Sequence, residues 1–308
     1  MDRIENCAVV GAGAIGASLA ARLFDAGKDM RIVAAGVRKA RYEREGCVVN
    51  GTRYVWPVED QSCARPVDLV ILAVKNYSLE EAIDEMRPFV GPRTMVLSLL
   101  NGIDAVPKLR AEFGAENVPF GMIIGIDAHR IGNEIRYSAK GQIFSGFEKG
   151  RFSGGNLRLA AIERFFAESG VHFTIADDIE REIWFKFMIN VAVNQWSAIL
   201  RASYGQILSS AHLRSLIERT MGEVIELAGR FGVALGGADI ARAMAWLATL
   251  GPEGKTSMLQ DVEAGRSTEV EAFAGTMMRL GAARGVTTPI NAMLYDIIRA
   301  IEESSASA

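Results

Sequence analysis

Three polar residues interrupt an apolar stretch, Ile183–Ile199 (IWFKFMINVAVNQWSAI), at one spacing: Lys186, Asn190 and Asn194. Residues four apart on a helix stay on one face, drifting by about 40° per step. Their neighbours are Trp184, Phe185, Phe187, Met188, Ile189, Val191, Val193 and Trp196. Burying an ammonium or a carboxamide without partners costs several kcal/mol. The competing reading is a solvated polar stripe on a half-exposed helix. Aromatic neighbours and two uncharged amides favour contact with a ligand. Such a face is read as lining a site. The aromatic neighbours would depress the Lys186 pKa by desolvation, and a carboxylate such as Glu269 would raise it.

A second chemical element opens the chain. Gly11-Ala12-Gly13-Ala14-Ile15-Gly16 lies between a short buried strand, Asn6–Val10, and a small-residue helix, Ala17–Ala26. In that context the pattern is a dinucleotide-binding turn. Gly11 permits the turn, Gly13 lets backbone approach a pyrophosphate, and Gly16 lets helix and strand pack closely. The helix N-terminus offers free N–H groups to the phosphates. The next strand, Met30–Ala34, ends in Ala34-Ala35, where an NAD site would place a carboxylate for the ribose 2′-OH. Arg38, Lys39 and Arg41 follow, so a 2′-phosphate and hence NADP(H) is expected. Arg38 is the first choice because it is nearest the strand end and a guanidinium grips phosphate bidentately. Glu43 and Glu45 leave open a solvated basic helix turn.

The elements that must position these residues follow from patterning. Val67–Val74 and Thr94–Leu99 are near-continuous apolar strands, as a parallel sheet covered on both faces requires. Lys75 follows the first and Asn101-Gly102 the second, at the edge where doubly wound sheets bind ligands. Lys75 and Asn101 are therefore candidates to touch cofactor or substrate, against the plainer readings of a surface lysine and a turn. Asn50-Gly51 within Cys47–Val55 signals a hairpin. Val118–Gly125, Glu134–Tyr137, Gln142–Ser145 and Val171–Ile175 read as further strands, and Leu157–Ser169 as a helix. Beyond Asp177 strand signals stop, and helices are expected near Ser209–Arg230, Asp239–Leu250, Thr268–Arg284 and Pro289–Glu302. The fold class is thus an α/β Rossmann-type N-terminal domain, residues 1–177, followed by an all-α C-terminal domain, residues 178–308. Thr256–Asp261 reads as a polar turn. Thr268 with Glu271 fits a capping box, which leaves Glu269 to answer the helix dipole or to serve a site.

Composition bounds the alternatives. At 308 residues, 49% hydrophobic, the chain can bury two cores. A net charge of −3 argues against nucleic acid. Cys7, Cys47 and Cys63 are odd in number and lack metal spacing, which suits a reducing cytoplasm without a disulfide framework. His129, His172 and His212 are scattered and no metal site is expected. No apolar run suggests a signal peptide or membrane span. A homodimer built on the helical half is an expectation.

Taken together, these motifs resemble the ketopantoate reductase (2-dehydropantoate 2-reductase) family. The resemblance spans nearly the whole chain: GAGAIG at Gly11, VKNY at Lys75, LNGID at Asn101, WFKFMINVAVN at Lys186, SMLQD at Ser257, GRSTEVE at Glu269 and the GVTTP turn at Gly285. It implies a Rossmann domain joined to a helical domain, and NADPH and a small 2-oxo acid as reactants. By motif, Lys186 resembles the proton donor, Asn190 and Asn194 the amides that hold substrate hydroxyls, Ser257 a carboxylate contact, and Glu269 the acid that positions substrate. The residue types suit the reaction this implies: hydride arriving at a ketone carbon builds negative charge on its oxygen, and a buried cation stabilises that charge and then supplies the proton. Lys75 and Asn101 resemble groups at the nicotinamide end. The chain departs from the family in two places. The first basic residue after the second strand comes late, at Arg38, and Phe144-Ser145-Gly146-Phe147 stands where Ile-Gly-Glu is frequent. The alternatives are a sister enzyme acting on another 2-oxo or 2-hydroxy acid, and a non-catalytic NADP sensor. A β-hydroxyacid dehydrogenase would favour Gly at the position of Glu182.

Overall fold

The computed structural model describes residues 3–152 and 154–306. The chain divides into two compact units, Met1–Asn101 with Ala105–Ile179, and Gly102–Asp104 with Glu180–Ala308.

In the first unit, β1 (Asn6–Val10) leads through the glycine turn into α1 (Ala14–Asp25), and β2 (Asp29–Val33) into α2 (Gly36–Glu45). A hairpin of β3 (Cys47–Val49) and β4 (Thr52–Tyr54) precedes the two-residue β5 (Val58–Glu59). Then come β6 (Leu69–Leu72), α3 (Leu79–Met86), β7 (Met95–Ser98) and α4 (Ala105–Phe113). The unit ends with β8 (Phe120–Ile126), a hairpin of β9 (His129–Ile131) and β10 (Glu134–Arg136), β11 (Lys140–Gly146), α5 (Gly155–Ala167) and β12 (His172–Ile175).

The main sheet has the order β5-β2-β1-β6-β7, and every pair is parallel. Side chains of a strand alternate between faces. Cys7 and Val9 accordingly join Leu19, Leu23 and Ile32 in one core, while Ala8 and Val10 join Leu79, Ile83 and Met86 in another. Covered on both faces, β6 and β7 are buried at every residue. The chain switches direction across the sheet between β1 and β6, which is where such sheets bind ligands.

A smaller sheet, β4-β3-β10-β9, packs on α1. Its Asn50-Gly51 turn has positive φ at both residues, 48° and 84°, as a two-residue type I′ hairpin needs. The third sheet is β12-β11-β8. Neither β5 nor β9 was expected from the sequence. With two and three residues they carry no readable alternation.

The second unit is helical among its described residues. α6 (Ile179–Ile189) runs into a π turn at Asn190–Asn194 and on into α7 (Gln195–Leu200). α8 (Tyr204–Ser209), α9 (Ala211–Arg230), α10 (Gly237–Leu247) and α11 (Ser257–Glu263) follow. α12 (Ala274–Arg284) and α13 (Pro289–Ala306) close the chain. Apolar residues of α6, α7, α9, α12 and α13 form one core. Several of its buried polar groups are tied off. Trp196 donates to Thr220 at 2.9 Å. The Glu223 carboxylate takes the Ile290 and Asn291 N–H groups at 2.7 and 3.1 Å, an anion answering the start of α13.

Two local expectations fail here. Ser257–Glu263 is a helix and not a turn, with the Thr256 hydroxyl accepting from Leu259 N at 3.2 Å. The capping box of Thr268 and Glu271 does not form. Thr268 Oγ1 accepts from Val270 N at 3.2 Å, Val270–Ala272 is a 3-10 turn, and α12 begins only at Ala274. Glu271 turns instead to the Tyr295 hydroxyl of α13, a stronger partner than a backbone N–H that already has one.

Candidate active site

The three glycines of the first turn separate by what surrounds them. Gly11 has φ +95°, and a Cβ there would fall 2.7 Å from Val74 Cγ1 and 2.8 Å from the Ala73 carbonyl oxygen. A Cβ on Gly16 would fall 1.8 Å from the Gly11 oxygen. These two are glycine because α1, β1 and the end of β6 crowd together. Gly13 differs, since its Cβ would meet nothing nearer than the Ala73 oxygen at 3.9 Å. Its bare face is what close approach of a pyrophosphate requires. α1 has no side-chain cap and no acidic residue in its first turn. The N–H groups following Gly13, with Ala14 and Ile15 in the first turn, are therefore available to an anion. The residues present fit a dinucleotide.

Lys75 and Asn101 lie beyond the C-terminal ends of the adjacent strands β6 and β7, and both are half-buried. Asn76, next to Lys75, donates its Nδ2 to the Asn101 carbonyl at 3.0 Å, tying the two loops together. At the end of β2, Arg38 is engaged by Glu81 at 3.1 Å and by Glu85, both on α3. Lys39 is engaged by Asp60 at 3.1 Å and Glu43 at 3.8 Å. One cation was not expected at this edge. Arg130 of β9 donates from Nη1 to the carbonyl of Ala12, inside the glycine turn, at 2.5 Å. No short-range pattern announces it, because β9 is itself unreadable.

In the second unit, Lys186 sits in the last turn of α6, half-buried. Trp184, Phe185 and Phe187 beside it belong to the core. Burial lowers the ammonium from its ordinary 10.5 to about 8, and the Glu269 carboxylate opposes that fall. Glu269 is 5% exposed and precedes the 3-10 turn. The structure thus brings Lys186 and Glu269 within electrostatic reach of each other. Asn190 and Asn194 are both buried and open and close the π turn. In an α-helix a step of four overshoots one turn. The wider π turn takes more residues per turn, so the overshoot shrinks and Asn194 comes back over Asn190. Asn194 Nδ2 donates to Asn190 Oδ1 at 3.4 Å. Asn190 Nδ2 is buried and has no partner among the described residues. Ser257 is exposed, in the first position of α11.

Among the described residues no cluster of three or more His, Cys, Asp or Glu side chains could hold a metal ion. No described helix is long and apolar enough to cross a membrane.

Comparison with known proteins bears on this arrangement. The family model described as "Ketopantoate reductase PanE/ApbA" matches residues 7–149, and its companion for the C-terminal part matches residues 178–302. A 2-dehydropantoate 2-reductase of Mesorhizobium japonicum is 30% identical over 93% of this chain and 94% of its own. The crystal structure of 2-dehydropantoate 2-reductase from Geobacter metallireducens is 27% identical with a TM-score of 0.83, covering 96% of this chain and 99% of that one. A structure of D-mandelate dehydrogenase with NADH and anilino(oxo)acetate shares the fold, with a TM-score of 0.87 at 23% identity over 98% of this chain and 99% of that one. The chain belongs to the ketopantoate reductase family and is an oxidoreductase of that type.

Proposed function

We propose that the chain reduces ketopantoate to pantoate with NADPH, a step of pantothenate biosynthesis, and that Lys186 is the proton donor. The observation that carries this reading is a lysine lowered to about 8 beside a buried carboxylate, one turn from a buried amide donor that lacks a protein partner. The glycine turn would hold the pyrophosphate, with Lys75 and Asn101 at the nicotinamide end. The bound cofactor supplies a hydride to the 2-keto carbon.

The chain's own residues do the rest. The Lys186 ammonium stabilises the oxygen as charge develops and then gives up a proton. Burial already favours its neutral form, so transfer is not opposed by a strongly basic amine. An acid whose pKa lies near the working pH is the effective kind. Glu269 keeps enough field at the site for Lys186 to hold its proton at pH 7. Asn190 Nδ2 donates to a substrate hydroxyl, Asn194 holds that amide in orientation, and Ser257 contacts the substrate carboxylate. The test is loss of NADPH absorbance with ketopantoate beside a panel of 2-oxo acids. Tight NADPH binding without turnover of any of them would sink the enzyme reading in favour of a sensor.

The likeness to D-mandelate dehydrogenase supports a second reading, oxidation of a 2-hydroxy acid by NAD with Lys186 as base. The end of β2 opposes it. Ala34 and Ala35 stand where an NAD site would place a carboxylate. Turnover of 2-hydroxy acids with NAD and none of ketopantoate with NADPH would favour this second reading.

A further inference from the structure

Arg38 and Lys39 stand nearest the end of β2, but each is already neutralised. Arg38 has Glu81 and Glu85, and Lys39 has Asp60 and Glu43. A phosphate at either would first have to displace carboxylates of like charge. Two other guanidiniums of the first unit, Arg41 and Arg130, have no carboxylate partner among the described residues.

Arg130 is placed by sheet register. Val49, Ile135 and Arg130 are lateral neighbours across β3, β10 and β9. Lateral neighbours in a sheet share a face. Val49 is 3% and Ile135 0% exposed, in the core that also contains Ala17 and Leu19 of α1. Arg130 therefore stands on the inner face, where the apolar row runs out beside the glycine turn. A guanidinium on a core face needs polar partners. Nε donates to the Gly132 carbonyl at 2.8 Å and Nη1 to the Ala12 carbonyl at 2.5 Å. Two carbonyls take two of its five N–H donors and leave its charge unanswered.

Arg41 approaches from the other side. It lies within α2, its Nε is buried with no partner among the described residues, and its guanidinium is 5.2 Å from the Tyr42 ring centroid. Burial pushes the Cys47 thiol of β3 up, and the positive charges of Arg130 and Arg41 both oppose that push. Both guanidiniums thus lie within electrostatic reach of Cys47, and Arg130 reaches the glycine turn itself. A ribose seated on such a turn puts its 2′-oxygen near the end of β2. Unneutralised guanidiniums suit a dianionic phosphate in charge and in fork geometry.

We infer that Arg130 and Arg41 bracket the 2′-phosphate of NADPH and set cofactor preference, while Arg38 braces α2 against α3. This rests on the reading of the cofactor as NADPH. The experiment measures NADPH and NADH affinity by nicotinamide fluorescence in the full chain and in Arg130→Gln, Arg41→Gln and Arg38→Gln. Arg130→Gln and Arg41→Gln should each weaken NADPH about tenfold or more and NADH less than about threefold, as loss of a charge-assisted contact implies. Arg38→Gln should leave the NADPH-to-NADH ratio near that of the parent protein. Retained NADH affinity reports that the glycine turn is intact in each variant. Collapse of the ratio in Arg38→Gln alone would overturn the assignment. So would equal loss of both cofactors in Arg130→Gln, which would make Arg130 a brace for the Ala12 carbonyl only. A parent protein that does not prefer NADPH removes the NADPH reading itself, and that result is seen before any substitution is made.

Discussion

Asn194 Nδ2 reaches Asn190 Oδ1 at 3.4 Å across the π turn, so the Asn190 oxygen is used inside the protein and its Nδ2 is not. A buried donor left unmet costs about 1–3 kcal/mol, and a substrate oxygen that accepts from it recovers that cost on binding. Asn190→Ala should therefore raise KM for the 2-oxo acid by roughly 5- to 150-fold, the equivalent of that energy. NADPH affinity should hold, and Tm should move little, because the fold loses only one long hydrogen bond. A large fall in Tm with normal KM in the surviving enzyme would make Asn190 a core polar group.

Lys186 makes a prediction about pH. The ammonium loses its proton near 8 in the fold, against 10.5 for an unburied lysine. As the proton donor it must be charged, so kcat/KM for reduction should fall above pH 8 and not above 10. Stability should run the other way. Between these two pKa values the unfolded chain holds a proton that the folded chain does not, so stability rises with pH. Below 8 the full cost of burying the cation is present. Lys186→Met should abolish that rise and lower kcat by roughly 10²–10⁴, the usual worth of a general acid. Near-normal turnover in a folded variant would remove Lys186 from the chemistry.

Glu269 is tested through Lys186. Its carboxylate holds the lysine up against desolvation. Glu269→Gln keeps the shape and removes the charge, so the alkaline limb of kcat/KM should move below 8. A residue that only supports the turn before Val270 would change Tm and leave the limb in place. A limb shifted upward would contradict the sign of the interaction.

What could be read from the sequence depended on how local the cause was. The glycine turn, the two apolar strands before Lys75 and Asn101, and the helical second unit are legible because each is set by a run of residues with its own period or turn chemistry. The π turn is not. NVAVN has no glycine or proline and reads as ordinary helix, so nothing local announces the wider turn. Glu271 misled because Thr-x-x-Glu is a capping signal wherever the chain is free to use it, and here Tyr295, 24 residues on, takes the carboxylate. Arg130 reaches Ala12 from 118 residues away, through a three-residue strand that has no signature of its own.

The glycine turn separates a structural from a binding role within six residues. Gly16→Ala would put a methyl group 1.8 Å from the Gly11 oxygen, a backbone contact that cannot yield without moving α1 off β1. That variant should lose Tm by many degrees. Gly13→Ala has open space, with its first neighbour at 3.9 Å, and its φ of −73° suits any residue. It should fold with nearly unchanged Tm, or gain slightly from reduced chain entropy. Its methyl group would occupy the place where pyrophosphate must approach the backbone. NADPH and NADH affinity should fall together, by about tenfold or more if one phosphate contact is lost, because the pyrophosphate is common to both. The equal loss sets Gly13 apart from Arg130 and Arg41, whose effect is expected on NADPH alone. Thermal unfolding and nicotinamide fluorescence on the two glycine variants check this directly. Normal cofactor affinity in a folded Gly13→Ala protein would show that the turn does not seat the pyrophosphate.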